Sequence, residues 1–470
     1  MKMLISGILM ESAETFPVIN PANEEIIASA PQCSRGMLDD AFSAAETAFE
    51  SWSRDIHVRR DVLTACAAAM RDNADELARL VTQEQGKPLA KAQREIGGAA
   101  RWFEYTAELD LPVEPITVPG QRRAEIHRRP LGVVAAIIPW NYPIMTAAWK
   151  IAPALLAGNT VVLKPSPYTP LATLRLGEIL RPHIPEGVLN IVSGGDDLGV
   201  WMTAHKTPRK IAFTGSTDAG KSVAAAAAND LKRVTLELGG NDPAIVLADA
   251  DPKTVANGIF TAAFENSGQV CVAIKRVYLP DNLYQPVLDE MTALANNVKL
   301  GDGLNEDVDM GPVNNRAQFE RVLELIEDSR QRGGAVIAGG KRKGDTGYFI
   351  EPTIITDLAD DARLVAEEQF GPALPILRYS DIDDALARAN AGHFGLAGSV
   401  WGADGDSAAE VAGKLNCGTA WVNQHLAITP QAPIAGRKWS GVGIENGPLG
   451  LLQYTDLQIV EVPETQAATA

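Results

Sequence analysis

The chain has 470 residues, 46% hydrophobic and 21% charged, which is the balance of a globular protein with a large core and room for roughly two to four domains. Its net charge of −17 and pI near 4.9 argue against a phosphate backbone or an anionic membrane surface as partner. Its cysteines, Cys33, Cys66, Cys271 and Cys417, stand far apart. With no Cys-x-x-Cys or Cys/His cluster they argue against any metal site and fit a reducing compartment.

The opening "MKMLISGILMESAE" is too short an apolar run for a signal peptide, and no run approaches the roughly 20 residues that span a bilayer. A cytoplasmic protein is expected. Next come helical periodicities in "DDAFSAAETAFESWS" and "VRRDVLTACAAAMRDNADELARLVTQEQ". The polar, alternating stretch 116–130 suits a projecting β-hairpin. "GVVAAIIP", "NTVVLKP", "VLNIVSG", "KIAFTGS" and "PAIVLAD" are short apolar runs, each closed by Gly, Pro, Ser or Asp and most followed by a helical pattern. That alternation predicts an α/β fold with a parallel sheet covered on both faces, and ligands beyond the carboxyl ends of the strands. A second alternating block runs from "NDPAIVLADAD" to "GTAWVN". The strand-like "LLQYTDLQIVEVPE" has no evident place in either sheet, and the final "TQAATA" reads as frayed.

Several motifs sit at the predicted strand ends. Gly215 to Ser222 matches the phosphate-loop pattern G-x-x-x-x-G-K-[ST]. The safer reading is that Gly215 and Ser216 present backbone N–H groups at a helix N-terminus, where a pyrophosphate fits; a plain strand-to-helix turn stays open. Pro139 and Pro143 bracket Trp140-Asn141-Tyr142, so the Asn141 amide is either a fixed oxyanion donor or the closure of a turn. Lys164 is either a donor to a sugar hydroxyl or a solvated lysine. Glu237 lies in an apolar run before Gly239-Gly240. It is either a desolvated base with a raised pKa or a carboxylate satisfied by glycine-turn amides. Cys271, in "NSGQVCVAIKR", is either a nucleophile or an inert buried thiol.

In order and spacing, "PWNYP", "KPSPYTP", "FTGST", "LELGGNDP", "NSGQVC", "EEQFGP" and "SGVGIENG" resemble the motifs of the aldehyde dehydrogenase superfamily, and the resemblance covers nearly the whole chain. It implies a dinucleotide-binding domain (1–115 and 131–239), a catalytic domain (240–440) and a small β oligomerisation arm (116–130 and 441–470), assembled as a homodimer or homotetramer. It implies NAD as cofactor, with NADP tolerated, and a small-molecule aldehyde as substrate. Cys271 is then the nucleophile, Asn141 the oxyanion donor, Glu237 the base that activates water, and Lys150 with Glu445 a proton relay. Lys164 and Glu368 would bind the two riboses. Trp140, Ser166, Pro167, Gly195, Gly199, Gly215, Ser216, Leu238 and Phe370 would line the remaining cofactor path. Gly268 would let the aldehyde approach, between walls formed by Val270 and Val272.

Three departures from the family pattern bear on specificity. Pro433-Ile434-Ala435-Gly436 replaces a common "PFGG" near the expected tunnel mouth. Pro167 stands where many NAD-preferring members carry glutamate, and Asn241-Asp242 follows "LELGG" where lysine is common. No anchoring arginine stands in "PWNYPIMTAAWK" or "NQHLAITPQAP", and only His425 lends polarity to the mouth. Together with Trp149, Tyr142 and Met145 this favours aliphatic or aromatic aldehydes over dicarboxylic semialdehydes.

Overall fold

The computed structural model describes residues 1–118 and 122–463. Four of the apolar runs, joined by Arg233–Glu237, form parallel strands of one sheet, in the spatial order Leu189–Ile191, Thr160–Lys164, Val133–Ile137, Lys210–Thr214, Arg233–Glu237, while the run "PAIVLAD" falls in a second sheet. Four of these strands are buried along their whole length, which is why they read as continuous apolar runs rather than as alternation. The first strand in sequence lies in the middle. Two strands then extend the sheet one way and two the other, so a switch point opens between Val133–Ile137 and Lys210–Thr214.

Antiparallel strands close both edges. At one edge sit Met3–Ile5 and Ile8–Met10; at the other, Gly441–Val442. The opening apolar residues are therefore part of the core, and Met3, Leu4 and Ile5 are almost fully buried. Ser6 and Gly7, both at positive φ, make the tight turn between the two N-terminal strands.

The second block forms a seven-stranded sheet ordered Ala335–Ala338, Thr353–Thr356, Ala373–Tyr379, Ile274–Pro280, Asp242–Val246, Ala397–Trp401, Thr419–Val422, parallel apart from its first edge strand. The C-terminal segment finds its place in a third sheet. Thr455–Pro463 pairs antiparallel with Arg122–Pro130, whose other edge carries Glu114–Val118. The hairpin tip 119–121 and the end 464–470, expected to be frayed, lie outside the described residues. Among the described residues no helix is long and apolar enough to cross a membrane.

Asn159 ties this arm to the first sheet. Its Oδ1 accepts from the N–H groups of Leu131 (2.7 Å) and Gly132 (3.0 Å), and its Nδ2 donates to the carbonyls of Ala154 (3.2 Å) and Tyr454 (2.9 Å). All of this happens in a fully buried setting. Asn159→Ala leaves those groups without partners and should destabilise the fold by about 3 kcal/mol. A lower thermal midpoint and earlier proteolytic release of the segment after Tyr454 are the expected readouts; an unchanged midpoint would show that the knot carries no stability.

Candidate active site

Cys271 lies on the amino side of the strand Ile274–Pro280, not at a carboxyl end. The loop before it is wound by three consecutive residues in left-handed conformation: Asn266 (φ 49°), Ser267 (φ 58°) and Gly268 (φ 73°). Such backbone persists only when its surroundings over-determine it. The Ser267 hydroxyl donates to the Gly311 carbonyl (2.8 Å), and the Gln269 side chain donates to Asn266 O (2.8 Å) while accepting from Asn314 N–H (2.8 Å). Gly268 does not face the substrate space. A Cβ there would lie 2.3 Å from the Gly371 carbonyl oxygen, so this glycine is small to let the nucleophile loop pack on its neighbour. Cys271 itself is half-buried and lines a cavity of about 1440 Å³.

Asn141 lines the same cavity. Its Nδ2 gives one hydrogen to the Gln269 carbonyl (2.9 Å), which leaves the second N–H of the amide available. The flanking prolines are joined by a buried polar cluster that holds the same segment. The buried Lys87 ammonium donates to the Asn141 carbonyl (2.8 Å) and to Glu95 (2.6 Å), and lies 3.4 Å from the Tyr142 ring centroid. The other oxygen of Glu95 accepts the N–H groups of Ile144 (2.9 Å) and Met145 (3.2 Å) in the first turn of the helix Pro143–Leu156. A carboxylate is favourable at a helix N-terminus. The pair is buried completely on both sides.

Glu237 ends its strand inside the cavity. Both carboxyl oxygens are buried, and no protein group donates to either. The glycine turn does not satisfy it, because the Gly240 N–H donates to Glu368 instead (3.0 Å). Burial, with the nearby Glu445 carboxylate, pushes Glu237 up to about 8, against a smaller opposing effect of Lys150. Of the two readings open from the sequence, the desolvated acid is the one found. Lys150 and Glu445 form a buried pair at 2.7 Å.

Burial raises the Cys271 thiol well above its ordinary pKa, Glu237 adds to that, and Lys275 is the leading influence in the other direction. Lys275 Nζ donates to the carbonyls of Cys271 (2.5 Å) and Val270 (3.0 Å) and lies 3.3 Å from Glu368. This lysine was not singled out from the sequence. Its signal was a cation within an otherwise apolar strand start, four residues after the cysteine. His425 lines the cavity, and its Nδ1 has no partner among the described residues. Its Nε2 donates to the Val272 carbonyl (2.7 Å), and burial pushes its pKa down to about 3, so the ring is neutral.

The residues expected to contact the cofactor divide into two sets. Trp140, Gly215, Ser216, Leu238, Glu368 and Phe370 line the cavity with Cys271, Glu237 and Asn141, and the Trp140 and Phe370 rings meet edge-on at 5.4 Å. Lys164, Ser166, Pro167, Gly195 and Gly199 do not line it, although Lys164 ends a strand of the same sheet edge and Gly195 caps the helix Asp196–Ala204. Lys150 is likewise behind the cavity wall. The donor set fits a dinucleotide. The buried Lys164 ammonium donates only to the Pro165 carbonyl (3.2 Å), leaving donors for a sugar, and a Cβ at Gly239 would fall 2.1 Å from Glu368 Oε2, so that carboxylate approaches bare backbone.

The phosphate-loop match dissolves in three dimensions. The helix starts at Thr217, so most of the pattern is helical rather than a loop of free amides. Gly220 is small because Leu238 packs on it, and Lys221 turns outward, 3.8 Å from the Trp439 ring. Gly215 uses its own N–H on the Glu237 carbonyl (3.1 Å), which leaves Ser216 and the first helical turn for an anion. The segment Pro433–Gly436 does not line the cavity either; Ile434 exchanges both backbone hydrogen bonds with Glu445 at 2.8 Å and so holds the partner of Lys150. Among the described residues no group of three or more His, Cys, Asp or Glu forms a metal site.

A cysteine, a bare carboxyl and an amide with a free N–H thus face one cavity beside a doubly wound sheet. The aldehyde dehydrogenase family model matches residues 8–460. The phenylacetaldehyde dehydrogenase of Pseudomonas fluorescens is 39% identical over 97% of this chain and 94% of its own, and the 3-sulfolactaldehyde dehydrogenase of Pseudomonas putida is 37% identical over 96% and 94%. An NAD+ complex of an aldehyde dehydrogenase from Bacillus cereus superposes with a TM-score of 0.97 at 36% identity, covering 99% of this chain and 96% of that one. The chain belongs to the aldehyde dehydrogenase family.

Lys275 makes the site testable before any substrate is known. Lys275→Met removes the cation nearest the Cys271 carbonyl, so alkylation of Cys271 by iodoacetamide should require a higher pH than in the wild type, with Lys275→Arg intermediate. Identical pH profiles for wild type and Lys275→Met would remove Lys275 from any role in thiol acidity.

Proposed function

We propose that the chain oxidises an aldehyde to the carboxylic acid through a thioester on Cys271, with NAD as cofactor. The observation that carries this is the buried, unpartnered Glu237 carboxyl sharing one cavity with Cys271 and the Asn141 amide. The thiol gives its proton to cavity water, and the sulfur attacks the aldehyde carbon, forming a C–S bond as the carbonyl π bond opens to the oxyanion. The new oxyanion takes the free N–H of Asn141 and the backbone N–H of Cys271. Bound NAD supplies the hydride acceptor for the collapse to the thioester; Trp140, Glu368 and Phe370, with Lys164 and Ser216, would hold it. Glu237 then takes a proton from water, the hydroxide attacks the thioester carbon, and the C–S bond breaks to release acid and thiolate. Lys150 and Glu445 would carry the proton away. A CoA-acylating reaction would need no such base, so Glu237 favours hydrolysis.

Trp102, Trp149, Met145, Leu426 and Ile428 on the cavity wall support an aldehyde with an apolar body, aliphatic or aromatic. The phenylacetaldehyde dehydrogenase likeness supports the same class. The domain division at 115, 131, 239 and 440, a cytoplasmic location and a homodimer or homotetramer belong to this proposal. The exposed Leu457 and Ile459 on an edge strand of the arm support the assembly.

Cys271→Ala should abolish cofactor reduction while leaving cofactor binding nearly intact. Glu237→Gln should keep a burst of about one reduced cofactor per site and lower steady-state turnover by about 10²–10⁴. Because the base must be ionised, wild-type turnover should fall as pH drops through about 8, and that limb should vanish in Glu237→Gln. Steady-state rates near wild type in either variant would refute the assignment.

The cofactor preference turns on Pro167, which has neither a ribose acceptor nor a charge to repel a 2′-phosphate. NAD should be used and NADP tolerated. Pro167→Glu should cost NADP roughly 1–3 kcal/mol relative to NAD, read as kcat/KM for both cofactors; an unchanged ratio would show that position 167 does not face the ribose.

A further inference from the structure

The arginines missing from the two segments flanking the tunnel are supplied by a third. Arg94 and Arg101 both line the cavity from the helix Leu89–Glu108. Seven positions apart, they lie on one helix face about 10 Å from each other along the axis. Between them is Gly98, where a Cβ would fall 2.5 Å from the Met145 methyl, so this face packs directly on the helix Pro143–Leu156. One step on, Trp102 stacks on Trp149 at 5.8 Å, and both rings line the cavity. The pair therefore sits on the side of Tyr142, Met145 and Trp149, away from the dinucleotide edge at Ser216 and Glu368.

Neither guanidinium has an ion pair or hydrogen bond to a described residue, and both residues are exposed. Two carboxylates of the neighbouring elements are already matched. Glu265 is paired with Lys91 (2.7 Å) and accepts from the Tyr142 hydroxyl (3.3 Å), and Glu95 is paired with Lys87. A chain of net charge −17 thus places two uncompensated cations around an apolar shaft. The cavity also carries carboxylates, among them Glu237, Glu265 and Glu368, but two like cations on one helix face attract an anion to that side of it. Guanidinium groups also match carboxylate and sulfonate oxygens with paired N–H donors.

We propose that Arg94 and Arg101 select aldehydes whose far end carries an anion, with an apolar body in the shaft and the aldehyde carbon at Cys271. This rests on reading the cavity as an aldehyde site and names the end of the substrate that the apolar wall leaves undefined. The recognised group is a carboxylate or sulfonate remote from the reacting carbon.

Matched pairs test it: 4-formylbenzoate against its methyl ester, and ω-oxo carboxylates of graded length against theirs, assayed by cofactor reduction. The anion should be favoured in kcat/KM by about five- to tenfold at low salt, chiefly through KM. The preference should shrink as sodium chloride shortens the screening length. Arg94→Ala/Arg101→Ala should bring the ratio near one, and Arg94→Glu/Arg101→Glu should invert it toward the ester. The salt series in the wild type decides the matter even if a variant fails to fold. Equal use of acid and ester across all lengths, or a preference that survives in a folded double variant, overturns the assignment while leaving aldehyde oxidation intact. No reduction with any aldehyde overturns both.

Discussion

The site depends on one short connection. Glu237 ends the last parallel strand of the first sheet and Asp242 begins a strand of the second, so residues 238–241 must tie the carboxyl edge of one sheet to the amino edge of the other. The two glycines in that link are required by proximity. A Cβ on Gly239 would meet Glu368, and one on Gly240 would sit 2.7 Å from the Cys271 carbonyl oxygen. With both bare, the loops before Ile274–Pro280 and Ala373–Tyr379 press against the strand that carries Glu237. Glu237, Cys271 and Glu368 are brought together by backbone contact that a side chain at either glycine would prevent.

Bringing strand ends together also buries charge, and the fold answers differently at each place. Lys87 and Glu95 are fully removed from water but match each other, a backbone carbonyl and the start of a helix. Every polar atom of that junction works on geometry around Asn141. Removing one partner of such a pair typically costs about 3–5 kcal/mol, because the other charge is left buried. Glu237 is left unmatched, and its raised pKa is the consequence of that desolvation. Among the described residues several buried polar atoms lack a partner, but Glu237 is the acid with neither oxygen satisfied, and a strongly desolvated acid in a cavity is a candidate for function.

Lys275 lies between these two cases. It holds the carbonyls of Val270 and Cys271 and lies beside the Glu368 carboxylate, so the cysteine loop and Glu368 share a single cation. His425 donates to the same loop through the Val272 carbonyl. The loop around Cys271 is therefore held by side chains donating to its carbonyls. The left-handed residues just before it are held separately, by the Ser267 hydroxyl on Gly311 and the Gln269 side chain on Asn266 and Asn314.

The sequence by itself determined the alternation of apolar strands and helices, because buried parallel strands must be apolar along their whole length. It also determined the order of the motifs, because Cys271, Glu237 and Asn141 each stand at a break between a strand and a loop. What it could not decide was anything set by partners distant in the chain. Whether Glu237 was satisfied depended on Gly240 donating elsewhere. Whether Gly215–Ser222 was a phosphate loop depended on where the helix began. The place of Thr455–Pro463 depended on an edge more than 300 residues earlier. The purpose of Gly268, the neutrality of His425 and the arrival of Arg94 and Arg101 at the cavity were likewise invisible. Hydrophobic period is a local property and survives in one dimension. Hydrogen-bond satisfaction and desolvation are sums over neighbours in space, and only the tertiary structure names the neighbours.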